Sequence, residues 1–531
     1  MILEKLWFVL PEMVLFVGVV ALFIMGVSPR KAAREMLPLV TCVFLGIALV
    51  ITPLVYSGDH LARAVEQDLL LMPVLGKYVK MVVCVVGMLL AMLTVGLLDR
   101  RLETDFDSGR LRFDALRTSR GEFHAFFLLS LIGVMLCCNA NDLIWLFLAL
   151  ELTSLPTYVM VATSRSTRLA QEAAVKYFFL GAMAAATFLY GFALLYGSTG
   201  TIVLTEMREA FARQIAETGG INLVGQVGMI LAILGIAYKI VAAPMHFYAA
   251  DVYEGAASPV TAFLGFVPKT AGMLALILLL TTIGWADAAA LRPEGTALPA
   301  TIMTTLWMIS VLTMVLGNVG ALLQHSVKRM LAYSSIAHSG YMLIGIIAGP
   351  GIGLNAVLFY LLVYGFMNTG AFAVLAGLER QGREIESLDD LAGLRRRYPL
   401  MAWSMAICAG SLLGFPPLLG FIGKLYLFIA GVEAGQIALV VIAAINSAIS
   451  AWYYLQLVGW PILKAPTARS ETIRPGPALW PRAAAALAAL AVLVLPVFSQ
   501  SLLTATERVT EGAMAVAEEG EEQPTEMISV R

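Results

Sequence analysis

Four ionisable side chains, Glu151, Lys239, Lys269 and Lys424, stand in long apolar stretches; residues 143–162 hold no charge other than Glu151. A charge near the centre of a bilayer costs roughly 2.5–3.5 kcal/mol on insertion scales, so a membrane chain rarely keeps one without use. One acid and three amines of this kind have the chemistry of a proton or cation path. Lys239 is the natural partner for Glu151. Such a pair favours both charged forms, burial favours both neutral forms, and movement of the lysine would change the proton affinity of each. The bland alternatives are a structural ion pair that locks two helices, or lysines that snorkel to the headgroups along their own stems. Lys269 is near the middle of its segment and is poorly placed to snorkel.

Further candidates are weaker. Lys176 opens its apolar segment, where snorkelling is as good an account as a place in the path. His246 and His338 can relay protons near neutral pH, while His325 reads as a surface residue. Asp251 and Glu254 suit a helix cap or a loop. Tyr453 and Tyr454 read as packing residues with satisfied hydroxyls.

The elements that must position these groups are membrane helices. The chain has 531 residues, of which 60% are hydrophobic and 13% charged, about half the charge of a soluble domain. Apolar runs of about 20 residues span a bilayer as helices. About fourteen spans are expected: 6–27, 36–55, 72–98, 122–138, 142–162, 172–196, 222–250, 256–283, 301–319, 331–348, 355–377, 401–430, 437–461 and 483–500. The first reads as a membrane helix and not as a cleaved signal. Basic residues such as Arg30, Lys31, Arg100, Arg101, Arg395 and Arg396 follow the odd-numbered spans. By the positive-inside rule those loops face the cytoplasm and both termini face outward. The acidic end with Glu518, Glu519, Glu521 and Glu522 reads as disordered.

An internal repeat is present. Leu148, Ala149 and Tyr158 match Leu331, Ala332 and Tyr341 at an offset of 183; Leu234, Gly235 and Lys239 match Leu419, Gly420 and Lys424 at 185. Each unit holds five helices, and an odd number inverts the second copy, a transporter architecture. Pro244 and the pair Pro416-Pro417 break one helix in each unit close to its lysine, and broken helices are tolerated where they face protein or a water-filled cavity. The fold class is therefore an all-α polytopic membrane protein with two inverted five-helix repeats, each with a broken helix. The expected divisions are an N-terminal three-helix segment (1–121), the first repeat (122–283), the second (301–462) and a C-terminal helix with the acidic tail (463–531).

Cys42, Cys84, Cys137, Cys138 and Cys408 lie in apolar segments without the spacing of a zinc or iron–sulfur site and read as packing residues. There is no dinucleotide fingerprint, and no basic-aromatic patch points to nucleic acid. No cofactor is expected on this chain.

Five stretches resemble subunit N of the proton-pumping NADH–quinone oxidoreductases, respiratory complex I: residues 148–158 (LALELTSLPTY), 172–181 (EAAVKYFFLG), 251–263 (DVYEGAASPVTAF), 328–341 (KRMLAYSSIAHSGY) and 411–425 (SLLGFPPLLGFIGKL). The resemblance runs from about Asp142 to Leu457. It implies that Glu151 is the fifth-helix glutamate paired with Lys239 of the broken seventh helix. Lys269 is implied as the eighth-helix lysine of a central polar axis, Lys424 as the terminal lysine of the broken twelfth helix, and Lys176 and His246 as further polar positions. It also implies a non-redox subunit of a translocase in a bacterial inner membrane. NADH, FMN, iron–sulfur clusters and quinone would be bound by partner subunits, among them antiporter-like paralogues. Two departures stand out. The family pattern Pro-Phe-His-x-Trp-x-Pro is here Pro244, Met245, His246, Phe247, Tyr248, Ala249, Ala250, and Gln456 stands where a basic residue is common. The competing readings are a subunit of a multi-subunit sodium/proton antiporter, a related ferredoxin- or formate-linked membrane complex, and a scaffold whose buried charges are ion pairs.

Overall fold

The computed structural model describes residues 6–57, 72–283, 298–380 and 383–507; the acidic end that carries Glu518 to Glu522 lies outside them. The N-terminal segment holds α1 (Leu10–Gly26), α2 (Lys31–Glu35), α3 (Leu37–Val55), α4 (Pro73–Leu93) and α5 (Arg100–Asp107). The first unit follows with α6 (Arg120–Cys137), α7 (Leu143–Ser164), α8 (Arg168–Thr199), α9 (Leu204–Thr218), the broken pair α10 (Leu223–Lys239) and α11 (Ala249–Gly255), and α12 (Ser258–Thr281). The second unit holds α13 (Ala300–Leu322), α14 (Val327–Ala348) and α15 (Ile352–Gly377). A hairpin of β1 (Leu378–Arg380) and β2 (Arg383–Glu384) and the short α16 (Leu388–Leu391) lead to the second broken pair, α17 (Pro399–Leu413) and α18 (Leu419–Glu433), and to α19 (Ile437–Ile462). β3 (Arg474–Pro475) pairs with β1, and α20 (Trp480–Val494) continues through a 3-10 turn (Leu495–Phe498) into a last helical stretch that ends the described chain at 507.

Among the described residues, eleven helices are long and apolar enough to cross a membrane, and Leu10–Gly26, Leu223–Lys239 and Pro399–Leu413 are shorter apolar helices. The protein is a multi-pass membrane protein, and the helices fall within a few residues of the fourteen expected spans. Helix starts are set by capping side chains: Asp142 accepts from the Trp145 amide at 2.7 Å, and Asn222 accepts from the Gly225 amide at 2.8 Å. Every residue of α12 is buried, and α14 and α15 are nearly so. These three helices form the centre of the molecule. The outer helices turn large apolar side chains outward, among them Phe16, Ile24, Val50, Phe179 and Trp452, as a lipid-facing surface requires.

Both breaks are real, but their lysines do not occupy equivalent places. Lys239 is the last residue of the half-helix before its break, whereas Lys424 lies in the half-helix after its break. The sequence offset of 185 aligns the two lysines, while the helix starts at Leu223 and Pro399 are 176 residues apart. Backbone geometry, and not the local match of Leu-Gly pairs, sets where each helix opens.

Candidate functional site

The site begins where α7 and α10 cross. Lys239 Nζ lies 3.0 Å from Glu151 Oε1 and donates to Ser154 Oγ at 2.5 Å. Phe188 of α8 places its ring 5.6 Å from the ammonium. Lys239 is buried, and Glu151 retains some exposure. The amine reaches the acid because α10 ends there: Val241 takes φ +58°, a conformation rarely adopted by a β-branched residue, and the chain leaves the helical path. The polar groups this frees are met from the second unit. The Ser339 hydroxyl donates to the Ile240 carbonyl, and the Ala243 amide donates to Thr313 Oγ1 at 2.9 Å. The broken helix of one repeat is thus completed by hydroxyls of the other.

Lys269 stands next along the molecule. Its Nζ donates to the Ser335 carbonyl at 2.6 Å and to the Ser335 hydroxyl at 2.7 Å, and lies 4.4 Å over the ring of Tyr364. It is fully buried, and among the described residues no carboxylate pairs with it. Gly272 lies on the same face of α12, three residues on. A Cβ there would sit 3.0 Å from Lys239 Cβ, so glycine is what allows α12 to pass against the Glu151–Lys239 pair. Ser339, one turn beyond Ser335, touches both the Ser335 carbonyl, at 3.3 Å, and the carbonyl that follows Lys239. The Ser339 hydroxyl of α14 therefore lies between the Ser335 carbonyl that Lys269 meets and the Ile240 carbonyl beside Lys239.

Beyond Lys269 lies an aromatic and hydroxyl cluster. His338 Nδ1 is 2.6 Å from the Tyr360 hydroxyl, and Nε2 is 2.8 Å from the Tyr454 hydroxyl, which in turn meets Ser334 Oγ at 2.5 Å. The imidazole packs at 5.1 Å from Tyr364, under Lys269, and at 5.8 Å from Tyr341. Lys424 lies 5.0 Å over that same Tyr341 ring. Its ammonium donates to the Leu413 carbonyl at 2.9 Å and to Ser447 Oγ at 3.3 Å. It caps the carbonyl end of the half-helix broken before it, where a positive charge is favoured. Asn318, Tyr453 and Asn446 extend the polar network around Tyr341.

The structure pairs Glu151 with Lys239 and sets Lys269 and Lys424 on either side of His338, across the rings of Tyr364 and Tyr341. Among the described residues, no hydrogen bond, ion pair or ring contact joins Lys176 or His246 to these groups. Lys176 is partly exposed and pairs with Asp251 at 2.8 Å and with Glu172 at 2.9 Å. Asp251 and Glu254 sit in α11 and hold Arg329 at 3.0 and 2.8 Å, so they form a surface charge network and cap no helix. His246 lies in the break with its ring 4.7 Å from Phe247. Tyr454, read from sequence as packing, is a direct partner of His338. The sequence reading also passed over Glu12 and Lys80, which pair at 2.6 Å. For Glu12 the signal was available, a single charge inside an apolar run, as at Glu151; Lys80 shares its run with Lys77.

Outside the membrane segments, charge ties the two units together. Arg165, at the end of α7, reaches Glu384 at 2.5 Å and Glu386 at 2.6 Å across the hairpin. Burial pushes the Glu384 carboxyl up, but Arg165, Lys328 and the Ser258 amide and hydroxyl outweigh it and hold it below the usual carboxylate range. In the N-terminal segment, Arg34 grips Glu103 through two hydrogen bonds of 2.8 and 2.7 Å and lowers that carboxyl as well. Among the described residues, no group of three or more histidine, cysteine, aspartate or glutamate side chains is placed to hold a metal ion.

Residues 140–450 match the family model described as NADH:quinone oxidoreductase/Mrp antiporter, TM. The chain is 42% identical over 350 residues to NADH-quinone oxidoreductase subunit N of Trichlorobacter lovleyi, covering 65% of this chain and 68% of that one. Its fold is similar to a chain of respiratory complex I from Thermus thermophilus with bound aureothin. That match has a TM-score of 0.71 at 30% identity and covers 93% of this chain and 98% of the other. It is also similar to a chain of the Mrp complex from Dietzia sp. DQ12-45-1b, with a TM-score of 0.74 at 22% identity, covering 96% and 99%.

Proposed function

We propose a function from one premise: the chain belongs to the NADH:quinone oxidoreductase/Mrp antiporter membrane family and, within it, groups with the NADH-quinone oxidoreductase subunit N proteins. On this reading it is the proton-translocating, non-redox subunit N of that enzyme. NADH, FMN, iron–sulfur clusters and quinone belong to partner subunits, and the antiporter-like paralogues are its neighbours in the membrane. The chain sits in the bacterial inner membrane with both termini outside, as its basic loops favour. The divisions 1–121, 122–283, 301–462 and 463–531 serve as its structural units.

The observation that carries the reading is the isolation of Lys269. A fully buried amine whose partners are a carbonyl, a hydroxyl and an aromatic ring has no counter-charge to lock it as an ammonium, so its protonation can change with that of its neighbours. In this account Glu151 and Lys239 form the loading pair. When the pair is charged and close, each group holds the other in its charged form. When electron transfer elsewhere in the complex moves the ammonium away, a proton passes toward Lys269 by way of the α14 oxygens. His338 and its tyrosines then carry it to Lys424, which releases it outward. Identity favours this over a sodium/proton antiporter subunit. The match to the Mrp chain lies below the level at which more than fold is shared, while the subunit N relative is 42% identical.

The test is NADH-driven proton uptake into inverted membrane vesicles, comparing wild type with Lys269→Ala after equal assembly is confirmed on a native gel. Lost uptake in an assembled complex supports the reading. Unchanged uptake returns the buried charges to a structural role.

A further inference from the structure

Glu12 on α1 and Lys80 on α4 form a second buried acid–amine pair, remote in sequence from the groups above. Nζ and Oε1 are 2.6 Å apart, and the two side chains are 2% exposed or less. Lys80 also donates to the Phe8 carbonyl at 2.7 Å and lies 5.2 Å from the ring centre of Tyr56. The Tyr56 hydroxyl donates to Asn139 Oδ1 at 2.9 Å, and Asn139 Nδ2 returns to the same Phe8 carbonyl at 3.4 Å. A Cβ at Gly76 would lie 2.7 Å from the Tyr56 hydroxyl and 3.3 Å from Asn139 Oδ1. Glycine one turn before Lys80 is what admits this hydrogen bond.

Two comparisons inside the molecule separate a working pair from a structural one. Arg34 and Glu103, in the same segment, are bidentate, and Arg34 also donates to the Ser28 carbonyl. That is how a structural ion pair satisfies its oxygens. Glu12 is different: Lys80 approaches only Oε1, and among the described residues neither of its buried oxygens has a well-directed hydrogen-bond donor. The closer likeness is to Glu151 and Lys239. In both pairs the ammonium meets one carboxylate, uncharged oxygen (the Phe8 carbonyl for Lys80; Ser154 Oγ and the Leu150 carbonyl for Lys239) and one aromatic face (Tyr56 or Phe188). Replacing a buried ion pair by well-packed apolar residues is often neutral or stabilising, so packing alone gives little reason to keep one. The location adds direction. The pair lies among the start of α1, the end of α3, the start of α4 and the end of α6, all on the side that the basic loops assign to the outside.

We propose that Glu12 and Lys80 form a proton-exchange site that serves the outer face, with Tyr56 and Asn139 as its polar wall. At rest the pair is carboxylate and ammonium, with no net charge. An arriving proton binds the open Glu12 oxygen while Lys80 stays an ammonium; the site then carries one positive charge and returns to neutral when Glu12 gives that proton to water outside. This rests on the proton-translocating reading above.

The test uses the whole complex in inverted vesicles, with NADH oxidation and proton uptake measured together. The variants are Glu12→Gln, the apolar double variant Glu12→Leu/Lys80→Met, and Lys269→Ala as the reference for the groups above. The expected result is an assembled double variant whose protons moved per NADH fall at least twofold, with a loss of similar size in Glu12→Gln. A double variant that assembles and pumps as wild type, while Lys269→Ala fails to pump, overturns this proposal alone. If neither loses pumping, the proton-translocating reading falls and takes the proposal with it. If the double variant does not assemble, Glu12→Gln decides: it keeps the size and polarity of the side chain but cannot ionise, and wild-type pumping in it overturns the proposal.

Discussion

Lys269 and Ser335 are held together by two hydrogen bonds, from one ammonium to the carbonyl and to the hydroxyl of the same serine, at 2.6 and 2.7 Å. The contact joins α12 of the first unit to α14 of the second at the most buried level of the molecule. Lys269→Met keeps the length of the apolar stem and removes the exchangeable proton. Proton uptake per NADH should fall about tenfold or more, with near-normal assembly on a native gel. Ser335→Ala removes only the hydroxyl, and the smaller loss it should give would show that the backbone carbonyl still positions the amine.

Glu151 and Lys239 act as one unit if their role is to exchange a proton. Glu151→Gln and Lys239→Met should each cut pumping, and the double variant should be no worse than the more damaging single one, because groups in direct contact are not additive. Independent, additive losses measured in the same vesicles would show that the two residues work separately.

His338 bridges Tyr360 and Tyr454 through both ring nitrogens. His338→Phe fills the space but leaves the buried Tyr360 hydroxyl without its partner, at a cost of about 1–3 kcal/mol, while Tyr454 keeps Ser334. Pumping should fall and the solubilised complex should melt earlier. His338→Gln, which can still accept and donate, should melt closer to wild type and pump less than it.

Lys176 provides a negative expectation. It is partly exposed and tied to Asp251 and Glu172, pairs of a kind typically worth about 1 kcal/mol or less. Lys176→Met should leave protons moved per NADH within about twofold of wild type, since such a pair contributes so little. A loss as large as that of Lys269→Met would place Lys176 in the path after all.

The Arg34–Glu103 clasp sets an acid limit. Its hydrogen bonds lower the folded-state affinity of Glu103 for protons relative to the unfolded chain. The clasp therefore stabilises fully above the ordinary glutamate range and loses its contribution as pH falls through the lowered folded value. Thermal melts of the solubilised protein should show acid destabilisation below about pH 4, and Glu103→Gln should flatten that part of the curve while lowering stability at neutral pH.

Much of this was legible in the chain. Apolar runs of bilayer length announce membrane helices whatever their packing, because lipid requires every backbone group to be satisfied within the helix. Prolines at 244, 416 and 417 mark where two helices open, and Glu151, Lys239, Lys269 and Lys424 mark themselves by the cost of burying charge. The sequence does not disclose which buried group faces which. Ser335 is 66 residues from Lys269, and Tyr454 is 116 from His338. A helical period identifies a face but not the helix that will cover it, so partners depend on rotation and crossing, which only the packed bundle determines. The same is true of the lysines at the two breaks, aligned in sequence yet on opposite sides of their openings, and of Glu12 and Lys80. Composition, periodicity and the expense of buried charge belong to the chain by itself; which partners those charges meet belongs to the tertiary structure.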